Sequence, residues 1–209
     1  MNQSNLVQPN KTRLAILGTI GQLHIEPLTY DLSCLRSIIT TLSPDILCAE
    51  ITREEWEYGD LSASAVELRE ALVPVVSFTD TVLVPVAPSS ARFEDYLPSL
   101  TWRQRLTQAF DRLLRWGQRT ADTPENIHSP VFESFCHLVC KLTEMTWKTE
   151  DRKLWNSENR LLAEGILDVL SRDPGRRVLA VVQCQRIYIL EQYLSEQGDV
   201  IDLVSYQEL

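Results

Sequence analysis

The fold is decided by the segment Leu14–Glu26, which reads LAILGTIGQLHIE. A short apolar run ends at Gly18, and a glycine-bearing loop follows it. Such a run, bounded by turn residues, is typical of a buried β-strand. The loop carries the polar residues Thr19, His24 and Glu26. The segment therefore predicts a strand followed directly by a loop that carries polar side chains suited to binding or catalysis.

Similar apolar runs recur along the chain and alternate with stretches of helical periodicity. The further predicted strands cover residues 46–51, 82–86, 177–184 and 200–204. Strands that are apolar on both faces belong to parallel sheets covered by helices. The sequence thus predicts an α/β fold with a mostly parallel sheet flanked by helices, and we expect residues 1–209 to form a single domain.

The middle of the chain departs from this alternation. Residues 95–150 read as a helical insertion within the α/β domain, because apolar residues recur there at helical spacing. Gly117 is expected to end the first helix of the insertion. The apolar face predicted for that helix consists of Trp102, Leu106, Phe110 and Leu113.

Charge and cysteine content limit the partners and the compartment. The chain has 20 basic and 29 acidic residues, a net charge of −9. Nucleic acids and anionic membrane surfaces bind through Lys and Arg, so neither is an expected partner unless a local basic patch exists. The five scattered cysteines indicate reduced thiols. Together with a polar amino terminus, they predict a cytoplasmic protein.

Polar residues follow several predicted strands, where ligands of open α/β sheets bind. His24 and Glu26 follow the first strand, and Glu50 lies at the end of the second. These three side chains could activate a water molecule or, through His24 and Glu50, hold a divalent metal ion. Equally, His24 could be a loop histidine bonded to a backbone carbonyl, with Glu26 solvated.

Two arginines could bind an anionic part of a ligand. Arg160 lies in a predicted helix that reads NSENRLLAEGI, and Arg186 follows a late strand. For Arg160 the alternative is a surface position paired with Glu164 four residues later. Thr19 completes the expected substrate-binding residues.

These segments, in this order, resemble the superfamily that contains the TraB/PrgY proteins, the Tiki proteases, the ChaN-like haem-binding lipoproteins and the erythromycin esterases. The resemblance is carried by LAILGTIGQLHIE, LSPDILCAEI, VLVPVAP, SENRLLAEGI and RRVLAVVQCQRIYILEQYL. It implies a helix-flanked sheet and a site built from His24, Glu50, Arg160 and the last loop. In active members of the family this site hydrolyses peptide or ester bonds, with a metal in the Tiki-like enzymes.

The chain also departs from the family pattern. His24 is offset from the usual spacing, and the final Gly-x-x-His motif has Gln183 and Arg186 in place of its glycine and histidine. An arginine is neither a metal ligand nor a base near neutral pH. The two-histidine metal site of the family is therefore broken in this sequence.

Two functions remain open at the level of sequence. The first is a hydrolase of a small-molecule or peptide substrate, in which His24, Glu26 and Glu50 assist water attack while Arg160, Arg186 and Thr19 bind the substrate. The second is a catalytically inactive family member that serves as a binding module, with a protein partner on the helical insertion. The cofactor is left unknown by the sequence, with a divalent metal ion as the candidate, and self-association is left open.

Overall fold

The computed structural model describes residues 11–62, 64–88, 102–196 and 201–209. Its centre is a five-stranded sheet in which all strand pairs are parallel, with strand order β3-β2-β4-β1-β5. The strands are β1 (Thr12–Thr19), β2 (Ile46–Ala49), β3 (Val82–Pro85), β4 (Arg177–Gln183) and β5 (Ile201–Val204). The predicted α/β class with a parallel sheet is confirmed.

Eight α-helices surround this sheet in the described parts of the chain. They are α1 (Leu32–Leu42), α2 (Arg53–Tyr58), α3 (Val73–Ser77), α4 (Trp102–Ala121), α5 (Pro124–Ile127), α6 (Pro130–Thr146), α7 (Thr149–Arg172) and α8 (Ile187–Ser195). Helices α4–α6 lie between β3 and α7 in the chain, so the predicted helical region in the middle is present from residue 102 onward, and residues 95–101 of the prediction lie outside the described residues. Among the described helices, none is long and apolar enough to cross a membrane.

The strand order places β4 between β1 and β2, although β4 comes after the helical region. Thr19 at the end of β1 is in register with Gln183 at the end of β4. Ala49, the last residue of β2, is in register with Val181 of β4. The carboxyl ends of these three neighbouring strands therefore meet at one edge of the sheet, where ligands of such folds bind.

The core lies on both faces of the sheet. Leu14, Leu17, Leu47, Val178 and Leu179 are completely shielded from solvent. Because helices cover both faces of the sheet, the side chains that point to either face of a strand are equally apolar. This explains why the strands could be recognised in the sequence as continuous apolar runs.

The predicted features of α4 were partly wrong. The helix continues through Gly117 to Ala121 and ends just before Asp122, whose φ is 43°. A Cβ atom at Gly117 would lie 2.2 Å from a ring carbon of Phe135, so this glycine allows α6 to approach α4. The buried residues of α4 are Leu114, Gly117, Gln118 and Ala121. Of the predicted apolar face, only Phe110 is half-buried, and Trp102, Leu106 and Leu113 are exposed.

Candidate functional site

A pocket opens at the carboxyl edge of the sheet. Thr19, Glu50 and Gln183 line it from the ends of β1, β2 and β4, and Glu67 and Leu68 line it from the segment before α3. It contains about 350 Å³ of empty space, including its open mouth. The pocket thus lies where the fold class places ligands.

Glu67 is the most deeply buried carboxyl group of this pocket, with 5% of its surface exposed. The Thr19 hydroxyl donates a hydrogen bond of 2.8 Å to its Oε1 atom. Its Oε2 atom accepts no well-formed hydrogen bond from the described residues. Burial raises the pKa of Glu67, and the nearby charge of Glu50 raises it further. Hydrogen bonds from its own backbone amide and from Thr19 lower the pKa, but by less. Glu67 is therefore shifted toward the neutral acid.

A widened helical turn follows directly on Glu67. Residues Leu68–Leu72 form a π-helical turn, in which the Val73 amide donates to the Leu68 carbonyl. Pro74 lacks an amide hydrogen, so the usual bond to the carbonyl four residues earlier is absent at this point. Single π-helical turns of this kind occur frequently at functional sites.

Glu50 connects the ends of β2 and β4. The backbone amide of Gln183 donates a 3.0 Å hydrogen bond to its Oε2 atom. Its Oε1 atom lies 2.8 Å from Nε of Arg186, and the two groups form an ion pair. The Nε–H bond does not point at this oxygen, so the contact is not counted as a hydrogen bond. Glu50 and Arg186 side chains are 19% and 12% exposed, respectively. The expected carboxylate at the strand end is thus held in position by one amide and one guanidinium group.

Arg186 is enclosed by groups from α7. A Glu158 carboxylate oxygen lies 3.6 Å from its Nη2 atom, and Nη1 donates a hydrogen bond to Asn159. The guanidinium carbon lies 4.3 Å from the ring centroid of Trp155, within the range of a cation–π contact. Two carboxylates therefore surround one guanidinium group. With its charge already balanced, Arg186 is poorly suited to bind an anionic substrate, contrary to the sequence-based expectation.

The structure does not bring His24 into this pocket. The ring is 1% exposed, and its Nε2 atom accepts a 3.1 Å hydrogen bond from the amide of Ile20. Its Nδ1 atom lies 2.8 Å from the carbonyl oxygen of Tyr30, to which it donates. Burial lowers the pKa of His24, which favours the neutral ring. The alternative interpretation, a loop histidine bonded to a backbone carbonyl, describes this geometry.

Glu26 and Arg160 also lie outside the pocket. Both oxygens of Glu26 accept 2.7 Å hydrogen bonds from Arg119 of α4. Arg160 is 60% exposed and pairs with Glu164 at 3.8 Å, as the surface alternative anticipated. Of the predicted site residues, the structure brings together Thr19, Glu50 and Arg186 at the sheet edge. It separates His24, Glu26 and Arg160 from them.

A metal ion does not fit the predicted donor set. Both ring nitrogens of His24 are engaged by the backbone, and Glu50 is paired with Arg186. Over residues 11–62, 64–88, 102–196 and 201–209, no group of three or more His, Cys, Asp or Glu side chains is arranged to hold a metal. The cysteines expected to be reduced, among them Cys136 and Cys184, are free thiols.

Sequence reasoning missed Glu67, although a signal was present. Glu67 lies between Val66 and Leu68 and four residues before Ala71, all of which are buried. Residues four apart share one face of a helix. An acidic residue on the apolar face of a short helical stretch must be partnered or functional, because an isolated buried charge is costly.

Comparisons of the chain with protein-family models, with curated proteins and with solved structures found no match.

Proposed function

We propose that the protein is a hydrolase of a peptide or ester bond, with Glu67 as general acid and Glu50 as general base. The observation that carries this proposal is the pairing of two unlike carboxyl groups in one pocket. Glu67 is buried, with one oxygen lacking a partner in the described structure, whereas Glu50 is ion-paired with Arg186. Two neighbouring carboxyl groups in different environments are typical of acid–base pairs.

The environment of Glu67 supports the role of proton donor. Burial and the charge of Glu50 both raise its pKa, so the acid form persists to higher pH than in a solvated glutamic acid. A general acid is most effective when its pKa approaches the working pH. Its Oε2 atom makes no well-formed bond to the described residues, which leaves a proton on that oxygen available to a leaving group.

The environment of Glu50 supports the role of base. Arg186 and the Gln183 amide each contact one of its oxygens, so a cation and a hydrogen-bond donor both face the carboxylate. Each carboxylate oxygen can accept a second hydrogen bond, so a water molecule in the pocket can still be bound. In the proposed reaction Glu50 takes a proton from the attacking water, and Glu67 gives its proton to the departing amine or alcohol. Transfer of the proton from Glu50 back to Glu67, directly or through water, restores the starting state.

The charge of the site limits the substrate. Glu50 and Glu158 lie beside a single guanidinium group, that of Arg186, and Glu67 lines the same pocket as Glu50. An anionic substrate would be repelled by the ionised carboxylates. We therefore propose a small neutral or cationic ester or amide. The bond type follows from the family resemblance, and the charge preference follows from the pocket.

Hydrolysis of chromogenic esters and amides that differ in charge tests the proposal. We expect the Glu67→Gln and Glu50→Gln variants to lose at least about a hundredfold in kcat/KM, the low end of general acid–base contributions. Glu26→Gln is the matched control, because its carboxylate pairs with Arg119 outside the pocket. Wild-type turnover no faster than that of the Glu50→Gln/Glu67→Gln double variant would contradict the proposal.

A catalytically inactive binding module is the second candidate function. Arg186 lies where the resemblance would place a histidine, and it pairs with the Glu50 carboxylate. Such an ion pair can hold the strand ends together without any chemistry. This candidate predicts no turnover of any substrate in the series and binding of a ligand that survives Glu67→Gln.

A further inference from the structure

Helices α4 and α6 form an antiparallel hairpin outside the sheet. The hydroxyl oxygens of Thr107 and Thr146 lie 2.7 Å apart, and Gly117 contacts Phe135. An early residue of α4 therefore meets a late residue of α6, and a late residue of α4 meets an early one of α6.

Helix α4 exposes an apolar stripe. Trp102 and Trp116 are 67% and 60% exposed, and Leu106 and Leu113 are 40% and 38% exposed. Their spacing of four, seven and three residues places them on one side of the helix. The stripe is distinct from the buried face of α4, which contacts the rest of the protein through Leu114 and its neighbours.

Helix α6 exposes a second stripe. Val131, Leu138 and Met145 recur every seven residues and are 81%, 58% and 74% exposed. Successive residues of an α-helix are rotated by about 100° around its axis, which places Phe135 between the α6 stripe and the buried face of α6. By the same geometry, Gly117 lies between the α4 stripe and the buried face of α4. Because Gly117 and Phe135 touch, the two stripes lie side by side on the outer side of the hairpin.

Basic side chains border this surface, which we call the outer hairpin face. Arg105, Arg112 and Arg119 recur every seven residues along one flank of the α4 stripe, and Lys141 borders the α6 stripe. All four are exposed, although Arg119 is also paired with Glu26 and Lys141 with Glu144. The acidic residues of the two helices are Asp111, Glu133 and Glu144, and each is half-buried or buried.

The hairpin therefore differs in charge from the whole chain. Its two helices carry six basic and three acidic residues, a net charge of +3, whereas the chain carries −9. Acidic groups on distant faces affect the outer hairpin face little at physiological salt, where screening acts over about 8 Å. The net charge of the whole chain argued against a membrane partner. That argument does not apply to this hairpin, because its local charge is positive.

We propose that the outer hairpin face docks on an anionic lipid surface. Exposed tryptophans, leucines and a methionine bordered by arginines are typical of helices that lie in the membrane interface. Tryptophan favours that interface because its ring is amphipathic. The face is two helices wide. A second copy of this chain would place one basic border against another.

Sedimentation with lipid vesicles tests this proposal with the full chain. Vesicles of phosphatidylcholine alone are compared with vesicles in which one quarter of the lipid is phosphatidylglycerol. We expect binding to the anionic vesicles, weak binding to the neutral ones, and a loss of binding as salt is raised. The Arg105→Glu/Arg112→Glu variant should bind the anionic vesicles at least about tenfold more weakly. The Trp116→Ser/Leu138→Ser variant should also lose binding.

Matched controls keep these variants interpretable. Arg36→Glu/Arg53→Glu changes the same residue types on α1 and α2, and Tyr58→Ser/Phe78→Ser removes side chains that are 85% and 90% exposed elsewhere. Both controls should bind as the wild type does, and circular dichroism checks that every variant is folded.

Three results would overturn the proposal. The first is equal binding of wild type to neutral and anionic vesicles, or binding to neither. The second is an equal loss of binding in the controls and the hairpin variants. The third is a dimer in light scattering that the Trp116→Ser/Leu138→Ser variant dissociates while vesicle binding is absent, which would assign the face to a second copy.

Discussion

The Nε atom of Arg186 lies 2.8 Å from Oε1 of Glu50, and this ion pair joins the carboxyl ends of β2 and β4. The same guanidinium group lies 3.6 Å from Glu158 of α7. Arg186 thereby links the central strands of the sheet to the helix that covers them.

Replacing Arg186 by Met should destabilise the protein by about 3 kcal/mol near neutral pH. The substitution leaves two poorly exposed carboxylates without their shared cation, and breaking a buried ion pair on one side has an effect of this size. Adding Glu50→Gln to this variant should recover part of the loss. Urea unfolding of the wild type, both single variants and the double variant gives the coupling free energy. A coupling near zero would show that Arg186 and Glu50 stabilise the fold independently.

Glu50→Gln should lower the pKa of Glu67. The charge of Glu50 contributes to the raised pKa of Glu67 after the larger effect of burial, and the substitution removes that charge. Carboxyl ¹³C chemical shifts followed through a pH titration measure the change. Glu26→Gln, outside the pocket, should leave the Glu67 titration where it is. An unchanged Glu67 titration in the Glu50→Gln variant would mean that the two groups do not interact, and the proposed acid–base pair would lose its basis.

His24→Ala should reduce the free energy of unfolding by about 2–3 kcal/mol. The change removes a buried ring and leaves the Ile20 amide and the Tyr30 carbonyl without their partner. The family resemblance implies the opposite result, a loss of activity with unchanged stability. Thermal unfolding and the activity per folded molecule distinguish the two. An inactive His24→Ala variant with wild-type stability would contradict this prediction and would indicate that His24 acts in catalysis.

The architecture could be predicted because strand and helix patterns are local. A strand buried on both faces, such as Leu14–Leu17, is visible as an apolar run. The start of a helix is equally local, as at Asp31, whose side chain accepts a hydrogen bond from the Cys34 amide at the beginning of α1. The exposed stripe of α4 was misjudged for a physical reason. Periodicity indicates that Trp102 and Leu106 share a face, but it does not indicate whether that face is covered.

The site was harder to predict because it depends on contacts between distant segments. Glu50 and Thr19 follow strands, so topology alone places them at the same edge. His24 is only four residues from Ile20, yet its ring turns back to bond that amide, which no spacing rule indicates. The pairing of Arg186 with Glu50 and Glu158 joins three segments. Glu67 is hydrogen-bonded in the pocket to Thr19, which lies 48 residues away in the sequence.

His128 should make the protein less stable as the pH falls from about 7 to about 4. Its Nε2 atom accepts a 3.0 Å hydrogen bond from the Gly18 amide, and burial lowers its pKa from 6.5 to about 4. Over this interval the unfolded chain binds a proton that the folded protein does not. The stabilisation is therefore present above the unfolded pKa and is lost as the pH falls toward the folded pKa, by about 3 kcal/mol in total.

A His128→Gln variant isolates this contribution, because the amide oxygen can accept the Gly18 bond without titrating. Buried carboxyl groups with raised pKa values, such as Glu67 and Glu191, shift the stability of both proteins in the opposite direction and cancel in the difference. Urea unfolding at several pH values should show the variant gaining stability relative to wild type as the pH falls. Tyr206→Phe is the control, since Tyr206 contacts the His128 ring and burial raises its own pKa to about 12. A difference between His128→Gln and wild type that stays constant with pH would mean that His128 is protonated as readily in the folded protein as in the unfolded chain.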